Sequence, residues 1–415
     1  MSSVVPEGWS YSKISEIGTV VTGSTPSTTE SSYWGGAIPF VSPADFDGTV
    51  YVRQTGRTVT ERGAQKGRIL PKDSILVTCI GSLGGIAISS EISVTNQQIN
   101  AIVPSNENDN RFTYYNVLFH IDELEKNAGT TTLPIINKST FGSITLPIPP
   151  LPEQKKIASI LTSVDEVIEN TQKQIDKLQD LKKATMNELL TKGIGHTEFK
   201  DSELGRIPKS WEVVPCSEVF DFMNGKAFYS DGYSDSGYRV IDLLNISLGG
   251  RLNITLKDKF ISAELYKKFL KAQLRKDDLI FIMTDITPSL GLIGKTAIID
   301  KDNSYVLNQR VGCFRPRLIE SLYIRFFNYL FNSNVMRLQV VRETLGTAQF
   351  YINTPAVKNL LLKVPPLHEQ MKITSILDSV ERRIDGQETL LLKTQSLKKS
   401  LMQDLLTGKV RVTVN

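Results

Sequence analysis

Two segments of the sequence carry closely spaced basic side chains that could bind phosphate groups. The segment 51–72 reads YVRQTGRTVTERGAQKGRILPK, and the segment 257–276 reads KDKFISAELYKKFLKAQLRK. In both, Lys and Arg are mixed with Thr, Gln or Tyr, which suits phosphate contacts together with some hydrogen bonding to base edges. A solvated surface gives a similar pattern, but its recurrence in both halves favours a binding face. The basic residues are Arg53, Arg57, Arg62, Lys66, Arg68 and Lys72 in the first segment, and Lys257, Lys259, Lys267, Lys268, Lys271, Arg275 and Lys276 in the second.

Two loops have a composition that suits recognition. They read GSTPSTTESSYWGG (23–36) and NGKAFYSDGYSDSGY (224–238), and together they are rich in Ser, Thr, Tyr, Gly and Asp. Adaptable polar and aromatic loops often bind ligands, although an ordinary surface loop looks similar. The loop residues that we predict to contact a nucleic acid are Ser24, Thr25, Tyr33, Lys226 and Tyr229.

Motifs for catalysis are missing from the sequence. The stretch GLIGKTA resembles a phosphate-binding loop, but that loop needs Gly five residues before its Gly-Lys-Thr, and Ser289 stands there. No nucleophile, base and acid can be read as a set. The three Cys and three His residues lack metal-ligand spacing. These absences indicate a binding protein with no cofactor or metal of its own.

The chain contains an internal duplication. Residues 149–161 read PPLPEQKKIASIL, and residues 365–377 read PPLHEQMKITSIL. A shift of 216 aligns 146–194 with 362–410 without a gap, and 23 of those 49 positions are identical. Weaker matches precede both repeats, such as VPEGWSYSKISEI with IPKSWEVVPCSEV. The order is therefore variable domain, repeat, variable domain, repeat.

Each repeat predicts one long helix. The prolines favour a first turn near Leu151, and Gly193 and Gly408 stand where the helices would end. About 38 residues at 1.5 Å each give a length of roughly 57 Å. Apolar residues recur at heptad spacing, which predicts that the two helices pack together along a seam. The seam residues are Ile157, Leu161, Val164, Ile168, Ile175, Leu178, Ile373, Leu377, Val380, Ile384 and Leu391.

Equivalent units in one chain are most simply related by an approximate two-fold axis, which would set the helices antiparallel. Thr171 and Gln387 would then form a polar layer near the crossing. The alternative is that each helix packs separately on its own domain.

A second apolar set flanks the seam and exceeds what a two-helix contact needs. It could bind another protein, or it could pack against the chain's own domains, and the sequence favours neither. These residues are Ile160, Val167, Leu181, Leu190, Ile376, Leu390, Leu397 and Leu406.

The predicted fold class is α+β, with two globular domains of mixed α/β character separated by two long helices that form an antiparallel coiled coil, and with internal pseudo-two-fold symmetry. The predicted boundaries are 1–148 for the first domain, 149–193 for the central helix, 194–207 for a linker, 208–364 for the second domain, 365–408 for the C-terminal helix and 409–415 for a tail.

This order of elements resembles the specificity (S) subunit of type I restriction-modification enzymes. The resemblance covers the whole chain and includes the PPLPEQ and PPLHEQ helices, GSTPSTTESSYWGGAIPFVSP, the TNQQ of residues 95–98, and the LLTKGI and LLTGKV that close the helices. The second copy departs from the first, with His368 in place of Pro152 and GKAFYS in place of GSTPS. The latter change leaves the DNA-facing loop of the second domain without a residue-by-residue equivalent.

The resemblance implies two target recognition domains that each read one half of an asymmetric bipartite site in double-stranded DNA, with the helices as spacer. It also implies two methyltransferase (M) subunits as partners, and restriction (R) subunits that join the complex. The family's complex methylates adenine N6 and cleaves DNA, but S-adenosylmethionine, ATP and Mg belong to the partner subunits, so this chain is not an enzyme by itself.

Composition agrees with a DNA-binding protein but does not require one. The net charge is +4, with 10 basic and 13 acidic residues in 1–145 against 20 and 15 in 208–361. No membrane span or signal peptide is readable, so we expect a cytoplasmic protein without a membrane partner. A scaffold that binds protein or peptide partners through its two domains is the alternative function.

Overall fold

The computed structural model describes residues 6–81, 83–122, 134–228, 232–255, 259–317, 320 and 322–414. Two residues predicted to bind DNA, Tyr229 and Lys257, lie outside the described residues. The chain divides into two units, Met1–Lys173 with Gln387–Asn415, and Gln174–Gly386. Each unit contains one β-rich domain and one half of each long helix, which confirms the predicted α+β fold of two domains joined by helices.

The first domain is built from short strands and a few short helices. Its strands are β1 (Ser10–Lys13), β2 (Gly18–Thr22), β3 (Trp34–Val41), β4 (Tyr51–Val52), β5 (Arg57–Val59), β6 (Ile69–Leu70), β7 (Ile75–Thr78), β8 (Ile86–Ser89), β9 (Ser93–Thr95), β10 (Ile99–Pro104) and β11 (Thr145–Ile148). Its helices are α1 (Ile14–Ile17), α2 (Glu61–Ala64), α3 (Asn110–Phe119) and α4 (Lys138–Ser143). The sheets have the orders β1-β11, β2-β10-β7-β8-β4 and β5-β3-β9-β6.

The first long helix, α5 (Leu151–Lys192), leads to the second domain. The strands there are β12 (Phe199–Lys200), β13 (Ile207–Pro208), β14 (Glu212–Pro215), β15 (Phe220–Asn224), β16 (Tyr238–Ile241), β17 (Phe260–Ile261), β18 (Leu279–Ile282), β19 (Thr284–Asp285), β20 (Thr296–Ile298), β21 (Tyr305–Leu307), β22 (Val311–Pro316), β23 (Phe350–Tyr351) and β24 (Leu361–Val364). The helices are α6 (Cys216–Val219), α7 (Ala263–Lys268), α8 (Ile324–Phe331), α9 (Asn334–Arg342), α10 (Thr354–Asn359) and the second long helix, α11 (Leu367–Leu406).

Sheet topology shows that the duplication includes the domains as well as the helices. The order β15-β22-β18-β20 repeats β2-β10-β7-β8, and the pair β14-β24 repeats β1-β11. The three-stranded sheet β17-β16-β21 repeats β5-β3-β9, with the β16–β21 pair parallel like the β3–β9 pair. The two domains therefore share one fold despite their weak sequence similarity.

The apolar runs of the sequence become the central strands of each domain. SILVTCI contains β7 and DLIFIMT contains β18, and every residue of both strands is buried. A short continuous apolar run is typical of a strand that is covered on both faces. The aromatic run TYYNVLFHIDEL overlaps α3, which begins three residues earlier at Asn110, and ESLYIRFFNYLF contains α8. The rings of both helices fill the adjoining cores.

Both long helices begin and end where proline and glycine predict. The carbonyl oxygen of Pro150 accepts from the backbone N–H groups of Glu153 and Gln154, which closes the first turn of α5. Gly193 and Gly408 follow the helices with left-handed φ angles of 67° and 68°. A side chain in that conformation is strained, so glycine favours helix termination there. At 1.5 Å per residue, the 42 residues of α5 span about 63 Å.

The two long helices run antiparallel in each unit. In the first unit, Asp165 of α5 pairs with Lys398 of α11, while Glu153 pairs with Arg411 just beyond the end of α11. In the second unit, Lys182 pairs with Glu381, and His196, just beyond α5, pairs with Glu369. Residue numbers rise on one helix as they fall on the other, which is the antiparallel pattern.

The helix segments pack on each other and on the domain of their own unit. Ile157 and Leu161 share a buried cluster with Phe112 of the first domain and with Met402 and Leu405 of α11. Each helix therefore packs both on the other helix and on a domain, so the two alternatives for helix packing occur together. Of the predicted seam residues, Ile157, Leu161, Ile175, Ile373, Leu377, Val380 and Ile384 are buried, whereas Val164, Ile168, Leu178 and Leu391 are half-buried.

The prediction of an outer docking position is wrong for Leu190 and Leu406. Both side chains are fully buried, Leu406 in the core of the first unit and Leu190 in that of the second. Each lies in the last turn of its helix, where the domain covers the face that heptad spacing leaves outside the seam.

Thr171 and Gln387, predicted to form a polar layer, make no hydrogen bond to each other in the described structure. The Thr171 hydroxyl donates to the carbonyl of Val167 in its own helix, at 2.7 Å. The Gln387 Oε1 is buried without a hydrogen-bond partner among the described residues. Helical threonine can satisfy its hydroxyl locally, so it does not need a partner on the other helix.

Candidate nucleic-acid interface and its helical support

The repeated Glu of the PPLPEQ and PPLHEQ motifs closes a buried polar clamp at each helix start. Glu153 accepts from the Trp9 indole N–H at 3.1 Å and from the Arg411 guanidinium through both carboxylate oxygens, at 2.8 Å each. Only 4% of Glu153 is exposed, and a buried carboxylate is stable only when it is paired. The clamp thus joins the start of the domain, the start of α5 and the segment after α11.

The second unit repeats this clamp around Glu369. The Trp211 indole donates to Oε2 at 2.9 Å, while the His196 Nε2 lies 2.7 Å from Oε1 and the Ile194 N–H donates to Oε1 at 3.0 Å. Trp211 takes the place of Trp9, and His196 takes that of Arg411. Sequence analysis missed both tryptophans, although their recurrence in VPEGW and IPKSW was a readable signal.

The following Gln of each motif ties the helix to its domain. Gln154 accepts from the Asp109 N–H at the start of α3, at 2.8 Å, and donates to the Pro149 carbonyl at 2.9 Å. Gln370 makes the equivalent bonds to the Tyr323 N–H and the Pro365 carbonyl, both at 2.9 Å. The phrase is repeated because each copy attaches one domain to a helix start.

Equivalent ion pairs join the two helices further along. In the first unit, Lys398 Nζ lies 2.6 Å from Asp165, which also accepts from the Tyr115 hydroxyl at 2.7 Å. In the second unit, Glu381 pairs with both Lys182 and Arg251. Burial raises the pKa of Glu381, but hydrogen bonds from the two cations outweigh it, so its pKa lies below the ordinary value.

Arg53, predicted to bind DNA, is exposed and also contacts the long helix α5. Its guanidinium lies 3.6 Å from Glu169 of α5, and Arg251 of the second domain lies 2.5 Å from Asp385, the equivalent position of α11. Both arginines stay partly exposed. Their shared position indicates a role in holding each domain against a helix.

The GSTP and TNQQ motifs, 72 residues apart in sequence, lie against each other in the first domain. The Ser24 N–H donates to the Thr95 carbonyl at 2.8 Å, and the Thr25 hydroxyl donates to Gln97 Oε1 at 2.8 Å. A Cβ atom on Gly23 would lie 2.0 Å from the Asn96 carbonyl oxygen, so only glycine allows this approach.

The second domain has the same contact between its two corresponding loops. This contact shows which residues of the second loop correspond to those of the first, which the sequences alone do not show. A Cβ on Gly225 would lie 2.0 Å from the Asn308 carbonyl oxygen, and the Lys226 N–H donates to the Leu307 carbonyl at 2.9 Å. Gly225 therefore corresponds to Gly23, and Lys226 to Ser24.

The basic face of the first domain lies on the sheet β5-β3-β9-β6 and on α2. The Arg57 guanidinium lies 3.5 Å from the centroid of the Trp34 ring, and that of Arg62 lies 5.6 Å from the Tyr33 ring. Arg68 is exposed and donates to the Thr22 carbonyl at 2.5 Å, and Lys66 is exposed on the same segment. Cations over aromatic rings are attracted by the ring quadrupole and held in place.

The second domain carries a comparable face with different residues. Lys259 Nζ lies 5.2 Å from the Tyr233 ring, and the Arg239 guanidinium lies 5.1 Å from the Phe260 ring. Tyr238 stacks on Tyr266 at 3.6 Å. The predicted residues Lys267, Lys268 and Lys271 are exposed at the end of α7 and in the turn that follows. Sequence analysis missed Trp34, Tyr233 and Arg239, because ring partners are chosen by strand pairing.

Several residues of the second apolar set remain exposed on the long helices. In the first unit these are Val167, Leu390 and Leu397, and in the second they are Leu181 and Ile376. Ile160 is partly buried against the first domain's core. Exposed apolar residues concentrated on a helix face indicate a protein-binding surface.

The described residues contain no group of three or more side chains arranged to hold a metal ion. Cys79, Cys216 and Cys313 are buried as free thiols, and burial raises the pKa of Cys79 to about 11. Within the described part of the chain, no helix is both long and apolar enough to cross a membrane.

Comparison with known proteins identifies the class. The model of the family described as "Type I restriction modification DNA specificity domain" matches residues 6–180 and 208–394. The chain belongs to this family, as its motifs predicted. It is a specificity subunit of a type I restriction-modification system, and such subunits are non-catalytic components of these enzymes.

Individual relatives span nearly the whole chain. The MjaVIII specificity subunit of Methanocaldococcus jannaschii is 30% identical over 98% of this chain and 94% of its own length. The MjaIX specificity subunit of the same organism is 27% identical over 98% and 95%.

Solved structures share the fold. The S subunit from M. genitalium superposes with a TM-score of 0.60 at 16% identity, covering 98% of both chains. A chain from a structural study of the assembly and conformational transition of the type I R-M system gives a TM-score of 0.62 at 15% identity, covering 98% of this chain and all of the other.

Proposed function

We propose that the chain reads an asymmetric, two-part site in double-stranded DNA, with one part bound by each β-rich domain and with the long helices as the spacer. The observation that carries this proposal is the pair of cation–aromatic faces. Each domain places a basic residue near an aromatic ring at the corresponding strand, β5 in the first domain and β17 in the second. The residues differ, since Arg57 lies over Trp34 and Lys259 lies near Tyr233. Similar positions with different side chains suit two unlike half-sites.

The helix dimensions support a measuring role. Half-sites one DNA turn apart are separated by about 34 Å. Helices of about 60 Å are long enough to hold two domains at that separation. The antiparallel contacts of each unit, with their buried clamps and ion pairs, would keep the spacing fixed.

We further propose that two M subunits dock on the exposed apolar residues of the helices, and that R subunits join the complex. Five apolar side chains of the long helices are exposed, and no described part of the chain covers them. They are Val167, Leu181, Ile376, Leu390 and Leu397. S-adenosylmethionine, ATP and Mg would be bound by those partners. The complex would act in the cytoplasm, where the DNA substrate lies. Because the first domain is net acidic, the partners would also complete the grip on DNA.

The spacer is tested by deleting seven residues from each helix at equivalent positions, 170–176 and 386–392. One heptad removes about 10.5 Å, close to 3 base pairs of DNA. We expect the variant, expressed with its methyltransferase partner, to methylate the same two half-sites with a gap shortened by about 3 base pairs, read from a map of methylated adenines.

A variant with only the 170–176 deletion serves as the control, since it should break the register and lose site-specific methylation. A double-deletion variant that kept the original gap would contradict the spacer role. DNA binding that is insensitive to salt, or absent in favour of a peptide ligand, would contradict the DNA-reading role itself.

A further inference from the structure

Resting on the proposed function, we propose that Arg57 recognises a guanine in the half-site of the first domain, and that Trp34 is its positioning residue. The basic residues of this face would then divide into one base reader and several phosphate contacts. Charge alone does not distinguish these roles, but the surroundings of each side chain do.

The Trp34 ring that lies against Arg57 is fixed by its own contacts. Its indole N–H donates to the Ser27 carbonyl at 3.0 Å, and its ring meets Phe40 edge to face at 5.0 Å. Phe40 is buried in a small core with Val59 and Val94. The Arg57 guanidinium, 3.5 Å from the Trp34 centroid and 5.9 Å from that of Phe40, therefore rests on a rigid aromatic wall.

The donors of Arg57 remain available to a ligand. No carboxylate of the described residues lies within 4.0 Å of its guanidinium, whereas Arg53 pairs with Glu169 and Arg68 donates to the Thr22 carbonyl. Arg57 is also exposed. One flat side of the guanidinium lies on the Trp34 ring, and no described residue accepts a hydrogen bond from its N–H groups.

This arrangement matches the geometry of a guanine edge. Guanine presents N7 and O6 as two acceptors in one plane, and a planar guanidinium can donate to both. Such a contact requires a fixed guanidinium, because a rotated plane loses one of the two bonds. A phosphate contact has no such requirement, since phosphate oxygens accept from many directions.

The second domain provides a natural contrast at the same strand position. Val59 pairs with Ile38 in the first domain, and Ile261 pairs with Tyr238 in the second. Arg57 stands two residues before Val59, and Lys259 stands two residues before Ile261, so the two basic residues are equivalent. Lys259 Nζ lies 5.2 Å from the centroid of the Tyr233 ring. An ammonium group is a point charge and lacks the planar pair of N–H donors of a guanidinium. The same position would therefore select a guanine more strictly in the first domain.

The test uses the full chain assembled with its methyltransferase partner, and selection of bound sites from DNA in which both half-sites are randomised. Wild type should select a guanine at one fixed position of one half-site. Arg57→Lys should reduce the preference for that guanine by roughly tenfold or more, since a bidentate contact discriminates on that scale. The other half-site should be unchanged.

Two further variants separate positioning from charge. Trp34→Ala should weaken the guanine preference while Trp34→Phe restores part of it, because a ring still supports the guanidinium. Arg62→Ala is the matched control, an exposed arginine 5.6 Å from the neighbouring Tyr33 ring. It should lower affinity for all sites alike and reduce the salt dependence by about one phosphate contact.

The outcomes distinguish this inference from the proposed function. If Arg57→Lys kept the guanine preference and behaved like Arg62→Ala, Arg57 would be a phosphate contact and the inference would be wrong, while two-part recognition would stand. If wild type selected no guanine in either half-site, the inference would also fail. If wild type selected no sequence at all, the proposed function would fail first.

Discussion

The two halves of the molecule keep the same contacts where domain meets helix and differ where the domain faces outward. Glu153 with Trp9 and Glu369 with Trp211 form matching buried clamps. On the outer faces, Arg57 over Trp34 corresponds to Lys259 near Tyr233. A change at a buried carboxylate leaves its partners unpaired and is strongly destabilising, whereas a surface change alters stability little. The duplicated copies could therefore diverge in recognition while assembly was preserved.

The clamps also differ in their closing group. Arg411 meets both oxygens of Glu153, while His196 meets one oxygen of Glu369 and the Ile194 N–H supplies a second bond. The Ile194 N–H thus takes the place of one of the two hydrogen bonds that a guanidinium would donate. The difference shows that the buried carboxylate, and not one particular cation, is what each helix start requires.

The largest effect on stability is expected from removing the clamp tryptophans. Trp211→Ala and Trp9→Ala should each lower the free energy of unfolding by about 3–5 kcal/mol, because each empties a buried ring site and removes one hydrogen bond from a buried carboxylate. Hydrogen exchange resolved along the chain should show the loss in the second unit for Trp211→Ala and in the first for Trp9→Ala.

The third tryptophan supplies the control for this comparison. Trp34 is half-buried beside Arg57 on the outer face of the first domain, so Trp34→Ala should change stability much less than either clamp variant. Equal destabilisation by all three substitutions would show that the clamps have no special importance.

A smaller effect is expected at the exposed helix positions, and it concerns binding. Leu181 and Leu397 are equivalent residues, about half exposed in their own units. Leu181→Asp and Leu397→Asp should each weaken co-purification of the methyltransferase partner by about tenfold, since burial of one leucine contributes about 1.5–3 kcal/mol. A pull-down at graded partner concentration measures this.

Leu392 provides the matched control because it is 68% exposed and its equivalent in the first helix is already an acid, Asp176. Leu392→Asp should leave partner binding unchanged. If it disrupted binding as strongly as Leu397→Asp, the docking surface would have to be redrawn.

The smallest effect is expected at the ion pairs between the helices, and it depends on pH. The folded pKa of Glu381 lies below its ordinary value of 4.5, so its ion pairs stabilise the fold above about pH 4.5 and this contribution is lost as pH falls through the folded pKa. Glu381→Gln should therefore destabilise the protein at neutral pH, by about 1 kcal/mol because the partner Arg251 is partly exposed.

Denaturant titrations of wild type and variant across this pH range measure the difference, which should vanish well below pH 4.5. A stability difference that did not change with pH would show that Glu381 acts through packing and not through its charge.

The repeat and its flanking residues were sufficient to predict much of the fold. Prolines before Leu151 and glycines at 193 and 408 marked the helix limits, since these residues act through their own backbone geometry. The gapless alignment of the two repeats predicted two equivalent units, and the motifs predicted the family.

The candidate site was predicted less completely. Leu190 and Leu406 lie in the cores, although their spacing resembled that of neighbours that stay exposed, and Arg53 makes a contact with α5 that the sequence did not predict. Spacing states which residues share a face, but it does not state what covers that face.

The sequence by itself determined the duplication, the extent of the two long helices and the family, because these depend on local backbone preferences and on order along the chain. Only the tertiary structure decided that Trp9 and Arg411 meet at Glu153, that Gly23 lies against Asn96, and that Trp34 supports Arg57. Those contacts join residues far apart in the chain, and strand pairing and helix packing bring them together.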